Sequence, residues 1–258
     1  TATPRIISEK AAKGLESRGF KTFDMSDRKH FGPVFFELPF SKAIEEGLLV
    51  DYEAVITVVD EEAFRDAAKD RELLRTDDGV DLDADELLAM VGLARRIHEH
   101  KIRRVITFHT RVKNAERFAK YFPRIARWVY PDSESFKDIV HHSISAKTPA
   151  AARRLRMAAL SQEGPSTAIV SNARVLTEGV DLPSVDAIAF IDPKNSVVDI
   201  VQAIGRALRL APQKERGHIL VVAPINPKEP IEDQLDANRL NSVWRVINAL
   251  RAHDDRLA

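Results

Sequence analysis

The feature that most constrains the fold of this chain is the alternation of short apolar runs with segments of helical periodicity. The runs are rich in β-branched and aromatic residues, which favour strands. Between them apolar residues recur at helical spacing, as at Ala115, Phe118 and Phe122. This alternation predicts an α/β fold with a parallel sheet covered by helices on both faces. The predicted strands are Val34 to Leu38, Ala54 to Val59, Arg104 to Phe108, Asp138 to His142, Thr167 to Ser171, Ala187 to Ile191 and His218 to Ala223.

Local signals place further helices. A strongly acidic stretch from Asp60 to Asp85, which we interpret as a surface excursion, leads into a predicted helix near Asp85 to His100. Thr148 followed by Pro149 predicts a helix start with threonine as the N-cap. A last helix carries an apolar stripe that needs a surface to cover. The stripe consists of Leu240, Val243, Trp244, Ile247 and Leu250.

Composition narrows the classes of protein that the chain can represent. The 39 basic and 39 acidic residues give a formal net charge of +0, so any contact with nucleic acid must come from local clusters. The absence of cysteine excludes disulfides and thiolate metal sites. No membrane-length apolar run or signal peptide is present, and we expect a cytoplasmic protein. The chain starts at Thr1, and we expect it to be a piece of a longer protein.

The segment QAIGRALR combines an apolar helix face with a glutamine and two arginines. Gln202, Arg206 and Arg209 have i, i+4, i+7 spacing, which predicts one stripe of a helix. The opposite stripe is apolar and contains Val197, Val201, Ile204 and Leu208. A guanidinium stays charged and offers a planar fork of donors, which suits a phosphate oxygen that gains charge in a transition state. A solvated surface face is the alternative interpretation.

The segment SNARVLTEGVDLP follows a predicted strand and carries small polar groups. Gly179 allows close backbone approach, and Asp181 offers a carboxylate to a sugar hydroxyl or a water. Three short polar side chains are suited to phosphate oxygens. They are Ser171, Asn172 and Thr177. An ordinary turn is the alternative interpretation for this segment.

The segment TFHTR, Thr107 to Arg111, also directly follows a predicted strand. Its hydroxyls and cation are suited to a nucleic-acid backbone. His109 within it is interpreted as a packed or surface histidine rather than a functional one.

Four segments in chain order resemble the motifs of superfamily 2 helicases and translocases. They are TATPR at 1–5, VITFHTR at 105–111, TEGVDLP at 177–183 and QAIGRALR at 202–209, which resemble motifs III, IV, V and VI. The last two are the most specific, because both patterns occur at the family's distance from each other. Residues 32–52 also look like the entry into the second motor domain in the restriction-enzyme-like branch of this family.

The resemblance implies a RecA-like second motor domain that contributes to a nucleotide site. Arg209 matches the main arginine finger, and Arg206 matches a second contact to the γ-phosphate. Gln202 matches the link to the nucleotide and to the partner domain. Gly179 and Asp181 match positions at the nucleotide and ribose edge.

The resemblance also implies contacts to the nucleic-acid backbone. The matching residues are Thr110, Arg111, Ser171, Asn172 and Thr177. The polymer is expected to be DNA, with RNA as the alternative. ATP and Mg²⁺ would be held mainly by a preceding RecA-like domain of the same parent chain. We expect residues 1–30 to form the tail of that domain and a linker, 31–228 the second motor domain, and 229–258 a C-terminal helical extension.

The segment VITVVDEEA at 55–63 imitates the magnesium-binding acidic box of a nucleotide hydrolase. Two observations favour a structural interpretation, a strand that enters an acidic loop. No glycine in the chain is followed by lysine, so the phosphate-binding loop that would accompany such a box is absent from this sequence. In the family, the acidic box also precedes Thr-Ala-Thr rather than following it.

Two other functions compete with a motor domain. The chain is alternatively a non-catalytic nucleic-acid-binding or regulatory module that retains the fold. A third hypothesis is a doubly wound nucleotide-binding domain with unrelated chemistry. That domain would bind a nucleotide alone, whereas half of a shared cleft would not.

Overall fold

In the computed structural model, residues 7, 9–59, 82, 84–161, 164, 166–173, 185–192, 197–212, 214–224 and 241–257 are described. The strands are β1 Asp51–Val59, β2 Arg104–His109, β3 Val140–Ser145, β4 Ala168–Ala173, β5 Ala187–Asp192 and β6 Arg216–Pro224. The α-helices are α1 Glu9–Glu16, α2 Arg28–Phe31, α3 Phe40–Glu45, α4 Ala84–His100, α5 Val112–Val129, α6 Glu134–Lys137, α7 Ala150–Ala158, α8 Val197–Ala207 and α9 Asn241–Arg251. Short 3₁₀ helices span Ala159–Ser161 and Asp255–Leu257.

The six strands form one sheet in the order β1-β6-β5-β2-β4-β3. Every pairing in it is parallel, so all the strands begin at one end of the sheet, here called the amino end. Parallel pairing requires a crossover between neighbouring strands, and the helical segments between the apolar runs supply it. The predicted parallel sheet is confirmed, and six of the seven predicted strands correspond to strands of the structure.

Helices cover both faces of the sheet, as the sequence predicts. Helices α4 and α5 pack on one face, while α7, α8 and α9 lie on the other. Strand β6 shows the alternation that divides the two cores. Ile219 and Val221 belong to the α8 side, whereas Leu220 and Val222 belong to the α4 side. Adjacent residues of a strand therefore face different cores, which determines where each site lies.

The predicted strand Val34 to Leu38 is wrong. The segment lies outside the sheet, and its apolar side chains are turned to solvent. Val34 is 77% exposed and Phe35 is 98% exposed. An apolar run predicts burial against some partner surface but does not specify a strand, and the sheet ends at β1 without pairing with this segment.

The helix predictions are confirmed in position, with differences at the ends. Helix α4 agrees with the predicted helix near Asp85 to His100. Helix α7 begins at Ala150 with Pro149 as its N-cap, and the Thr148 hydroxyl instead accepts a hydrogen bond from the Ser145 backbone N–H. In α9, Val243 and Leu250 pack against α8 and β6, while Trp244 stays 44% exposed. None of the helices in the described ranges is long and apolar enough to cross a membrane.

Candidate functional site

Helix α8 presents the glutamine and arginine residues that the sequence singles out. Its apolar side is buried in the core and contains Ile200, Val201, Ala203, Ile204 and Ala207. Gln202 and Arg206 are half-buried on the helix, and Arg209 is exposed. The helix ends at Ala207, so the prediction that all three polar residues share one helical stripe is wrong for Arg209. Arg209 instead forms an isolated antiparallel bridge with Leu49.

That bridge places the arginines at the amino end of the sheet. Leu49 lies just before β1, and the Val50 backbone N–H donates to the Leu208 carbonyl at 2.9 Å. Helix α8 starts beyond the carboxyl end of β5 and runs back along the sheet, so its last turn reaches the opposite end. The segment that follows α8 thus carries Arg209 out to the surface beside the first residues of β1.

A half-buried lysine holds the end of α8 in place. The Lys214 ammonium donates to the Ala207 carbonyl and, at 3.3 Å, to the Arg209 carbonyl. These carbonyls belong to the end of the helix, where backbone acceptors have no helical partner. Burial lowers the pKa of Lys214 to about 8. The lysine fixes the backbone from which Arg209 projects.

Arg206 and Arg209 are close enough to affect each other electrostatically. Burial, followed by the charge of Arg209, lowers the pKa of the Arg206 guanidinium, which nevertheless stays protonated because arginine is such a strong base. Among the described residues, the Gln202 Oε1 atom is buried and has no hydrogen-bond partner. The neighbouring cations Arg206 and Arg209 are suited to binding an anion. The Gln202 side-chain oxygen could accept a hydrogen bond from a donor on the same ligand.

Gly217 of β6 lets the end of α8 lie directly on the sheet. A Cβ atom at this position would lie 2.8 Å from Leu208 Cδ2 and 3.0 Å from the Ala207 carbonyl oxygen. We expect Gly217→Ala to lower the free energy of unfolding by about 1–3 kcal/mol, the usual effect of overpacking. Urea denaturation measures this change. Gly14→Ala in α1 is the matched control, since its Cβ would meet nothing within 4 Å, and an equal loss in both variants would contradict the explanation.

A second polar group lies at the carboxyl end of the sheet, around the loop after β2. Asp192 ends β5, and its carboxylate accepts from the Thr110 backbone N–H at 2.7 Å and from the Asn114 amide at 2.6 Å. The Thr110 hydroxyl donates to the Asp192 backbone carbonyl. Burial raises the pKa of Asp192. Arg111 occupies the N-cap position of α5 without a capping side-chain hydrogen bond and is exposed, so its cation is presented at this end of the sheet.

Ser171 and Asn172 are inside the protein, on β4. Ser171 is fully buried, and its hydroxyl lies 2.8 Å from the Thr107 hydroxyl and 2.8 Å from His141 Nε2. Thr107 also contacts His109 Nε2 at 2.9 Å. Asn172 is 1% exposed. These side chains form or border a polar network across β2, β4 and β3, so the predicted backbone contact at Ser171 and Asn172 has no support from their position.

Several predicted positions lie outside the described residues. These are Thr177, Gly179 and Asp181 of the segment that resembles motif V, the segment at 1–5 and the acidic residues at 60–62. Their proposed contacts stay predictions. The structure brings together Arg206 and Arg209 at one end of the sheet and Thr110 and Arg111 at the other, while Gln202 lies further back on α8.

Sequence reasoning missed three residues that shape these two ends. Asp192 and Asn114 organise the loop after β2, and Lys214 holds the end of α8. Asp192 had a usable signal, because it directly follows the predicted strand Ala187 to Ile191 and therefore lies at the carboxyl end of the sheet. Lys214 had none, since its partners are backbone carbonyls that any sequence would offer.

Comparison with known protein families agrees with the observed fold. The matched region includes candidate residues at both ends of the sheet. The family model described as the helicase conserved C-terminal domain matches residues 85–211, which include Thr110, Arg111, Arg206 and Arg209. The sequence is 23% identical over 234 residues to a protein of African swine fever virus named as a probable helicase. That alignment covers 90% of this chain and 24% of the viral protein.

Solved structures of restriction enzymes are similar to the chain over most of its length. An ATP-dependent Type ISP restriction-modification enzyme bound to DNA is 30% identical, with a TM-score of 0.76, over 91% of this chain. A fragment of an HsdR subunit of a type I restriction enzyme from Vibrio vulnificus has 16% identity and a TM-score of 0.52 over 85% of the chain, which supports the fold. The chain spans 16% of the first of these proteins and 40% of the second.

Proposed function

We propose that this chain, which carries the conserved C-terminal RecA-like domain of the superfamily 2 helicases, is the second motor domain of an ATP-dependent DNA helicase or translocase. Its partner would be a preceding RecA-like domain in the same parent protein. That domain would hold most of the ATP and Mg²⁺. The similar restriction enzyme is described as ATP-dependent and bound to DNA, which favours DNA over RNA as the polymer.

The observation that carries this proposal is the position of Arg206 and Arg209. They lie side by side at the amino end of the sheet, on a backbone fixed by Lys214 and by the bridge to Leu49. Arg209 is exposed, so a nucleotide held by another domain can reach its guanidinium. A phosphoryl group that gains negative charge in the transition state is stabilised by such pre-positioned donors.

Arg206 and Gln202 would act beside Arg209 in the same cleft. Arg206 is half-buried, and its charge would make a second contact to the γ-phosphate. The unused Gln202 oxygen would accept a hydrogen bond from the nucleotide or from the partner domain, which supplies the partner that this buried atom lacks among the described residues. Closure of the two domains would therefore supply a partner for the Gln202 oxygen. Gly179 and Asp181 would line the nucleotide and ribose side.

The carboxyl end would contact the nucleic-acid backbone. Arg111 is exposed there at the start of α5, and Thr110 is fixed by Asp192. Phosphate contacts of this kind position a strand without reading its sequence. The nucleic acid would thus contact one end of the sheet and the nucleotide the other. Changes in domain closure at the amino end would then move the loop that holds the strand.

The proposal is tested by comparing the isolated chain with the full-length protein. We expect the isolated chain to hydrolyse no ATP and to bind no nucleotide at micromolar concentration, because it offers only one side of the cleft. We expect the full-length protein to hydrolyse ATP, with stimulation by DNA. Isothermal titration with ATP and a coupled ATPase assay measure both properties. Micromolar nucleotide binding by the isolated chain would support the third hypothesis, a complete nucleotide-binding domain, and would contradict the proposal.

A further inference from the structure

Two histidines and a glutamate converge at the amino end of β1 and β6, away from the arginines. Glu53 of β1 and His218 of β6 are partners in the parallel register. His100 is the last residue of α4, which packs on the same face of the sheet. One candidate ligand atom from each of the three residues lies within 4.8 Å of those from the other two.

The fold brings these residues together from distant parts of the sequence. Residues of β6 alternate between faces, and Leu220 and Val222 show that the even-numbered ones point to the α4 side. His218 therefore shares a face with α4, whereas the neighbouring Gly217 faces the end of α8. The cluster and the arginine pair occupy the same end of the sheet but opposite faces.

The three side chains meet without forming hydrogen bonds to one another. His218 Nδ1 lies 3.6 Å from a Glu53 carboxylate oxygen, and His100 Nδ1 lies 3.9 Å from the same oxygen. Both distances exceed the range of a hydrogen bond. They approach the separation of about 3.3 Å between two ligand atoms of a tetrahedral zinc ion with bonds of about 2.0 Å. Small side-chain rotations would bring all three atoms to bonding distance.

The His218 side chain also offers a metal ligand, because an imidazole nitrogen is the commonest metal ligand in proteins. Within the described part of the chain, His218 Nδ1 is buried and has no hydrogen-bond partner. A buried polar atom without a partner is costly, and a metal bond would provide one.

The surroundings leave space for a further ligand. His100 and His218 line a polar cavity of about 850 Å³ at this end of the sheet. Zinc sites with three protein ligands keep a position for water or another small ligand. A set of two imidazoles and a carboxylate is typical of zinc and of other first-row transition metals rather than of calcium or magnesium.

We propose that Glu53, His100 and His218 form a binding site for one divalent transition-metal ion, with zinc as the best match. The ion would link the end of α4 to the first residues of β1 and β6, with water from the cavity completing its coordination. This site is separate from the nucleotide and nucleic-acid contacts proposed above, and it does not depend on them.

The test is metal binding by the chain after treatment with a chelator. Titration with Zn²⁺ by calorimetry, and with Co²⁺ by its visible ligand-field absorption, is expected to give one ion per chain and a nitrogen- and oxygen-ligated spectrum. Zinc is expected to raise Tm, since a ligand of the folded state stabilises it. His218→Ala and Glu53→Gln should each weaken binding at least about tenfold.

His98→Ala is the matched control, since it removes a histidine from the same end of α4 that lies outside the cluster. It should retain wild-type affinity and the rise in Tm. His100→Ala, at the partly exposed end of the helix, provides a second cluster variant if His218→Ala folds poorly. Stoichiometry other than one, or equal affinity in the wild type and all cluster variants, would show adventitious surface binding and overturn the proposal.

Discussion

Substitution of Arg209 by alanine is expected to lower the DNA-stimulated ATPase rate of the full-length protein about a thousandfold, while ATP binding changes little. The reason is the geometry of the α8 end, where the guanidinium is exposed on a fixed backbone. In the proposed two-domain cleft it would contact a phosphate held mainly by the other domain. Charge that develops only in the transition state makes Arg209 important for turnover rather than for affinity. Steady-state ATPase assays and titration with a fluorescent ATP analogue measure the two effects separately.

Three further variants make this prediction specific. Arg209→Lys keeps the charge but loses the planar fork, so it should restore only a small part of the rate. Arg206→Ala should also reduce turnover, because Arg206 lies beside Arg209. Arg95→Ala removes an exposed arginine of α4 that pairs with Glu99 and should retain full activity. Retention of most turnover by Arg209→Ala would disprove its assignment as the main arginine finger.

The sheet was largely predictable because its strands are buried on both faces. A strand of this kind is apolar along most of its length, as β5 is over residues 187–191, and such runs are conspicuous between helical segments. The same reasoning failed for Val34 to Leu38, an equally apolar run that is exposed. An apolar run indicates that its side chains favour burial against a partner. Whether the run is buried as a strand of the sheet depends on the tertiary structure.

The candidate site was predictable in its chemistry but less so in its geometry. The pattern of Gln202, Arg206 and Arg209 identified the residues, but spacing alone could not show that the helix ends at Ala207. The half-buried Lys214 that holds this end comes from the segment before β6, and such contacts depend on the fold. Ser171 shows how sequence can also suggest too much exposure, since a small polar residue at the end of an apolar run resembles a surface group. Its hydroxyl instead belongs to a buried network with Thr107 and His141.

The structure separates the two predicted activities in space. Arg209 lies at the amino end of the sheet, and Arg111 lies beyond the carboxyl end of β2. Both are attached to strands of one sheet through short backbone connections. In the proposed motor, movement of one end relative to the partner domain would therefore displace the other end as well. The buried polar network lies between them, within β2, β4 and β3. The stability of this network therefore affects the part of the sheet that joins its amino and carboxyl ends.

That network makes the domain sensitive to acid. His109 is buried, and His141 is half-buried with its Nδ1 atom shielded from solvent. Burial lowers the pKa of His109 from 6.5 to about 3 and that of His141 well below its ordinary value. The folded-state pKa of each is therefore below that of the unfolded chain. Between these values the unfolded state binds more protons, so stability falls as the pH drops below about 6.5. Burial raises the pKa of nearby Asp192, which opposes this loss but only where the carboxylate titrates.

We expect His109→Gln to reduce the pH dependence of unfolding by about 3 kcal/mol between about pH 7 and about pH 4. Glutamine keeps a polar group beside Thr107 but takes up no proton, so the variant removes the cost of charging this position in the unfolded chain. Urea denaturation across this range gives the free energy of unfolding at each pH. The slope is compared rather than the absolute stability, because the substitution also alters packing against Phe118. His30→Gln, which removes an exposed histidine, should leave the slope close to that of the wild type, and equal slopes in the wild type and His109→Gln would show that His109 is not the acid-sensitive group.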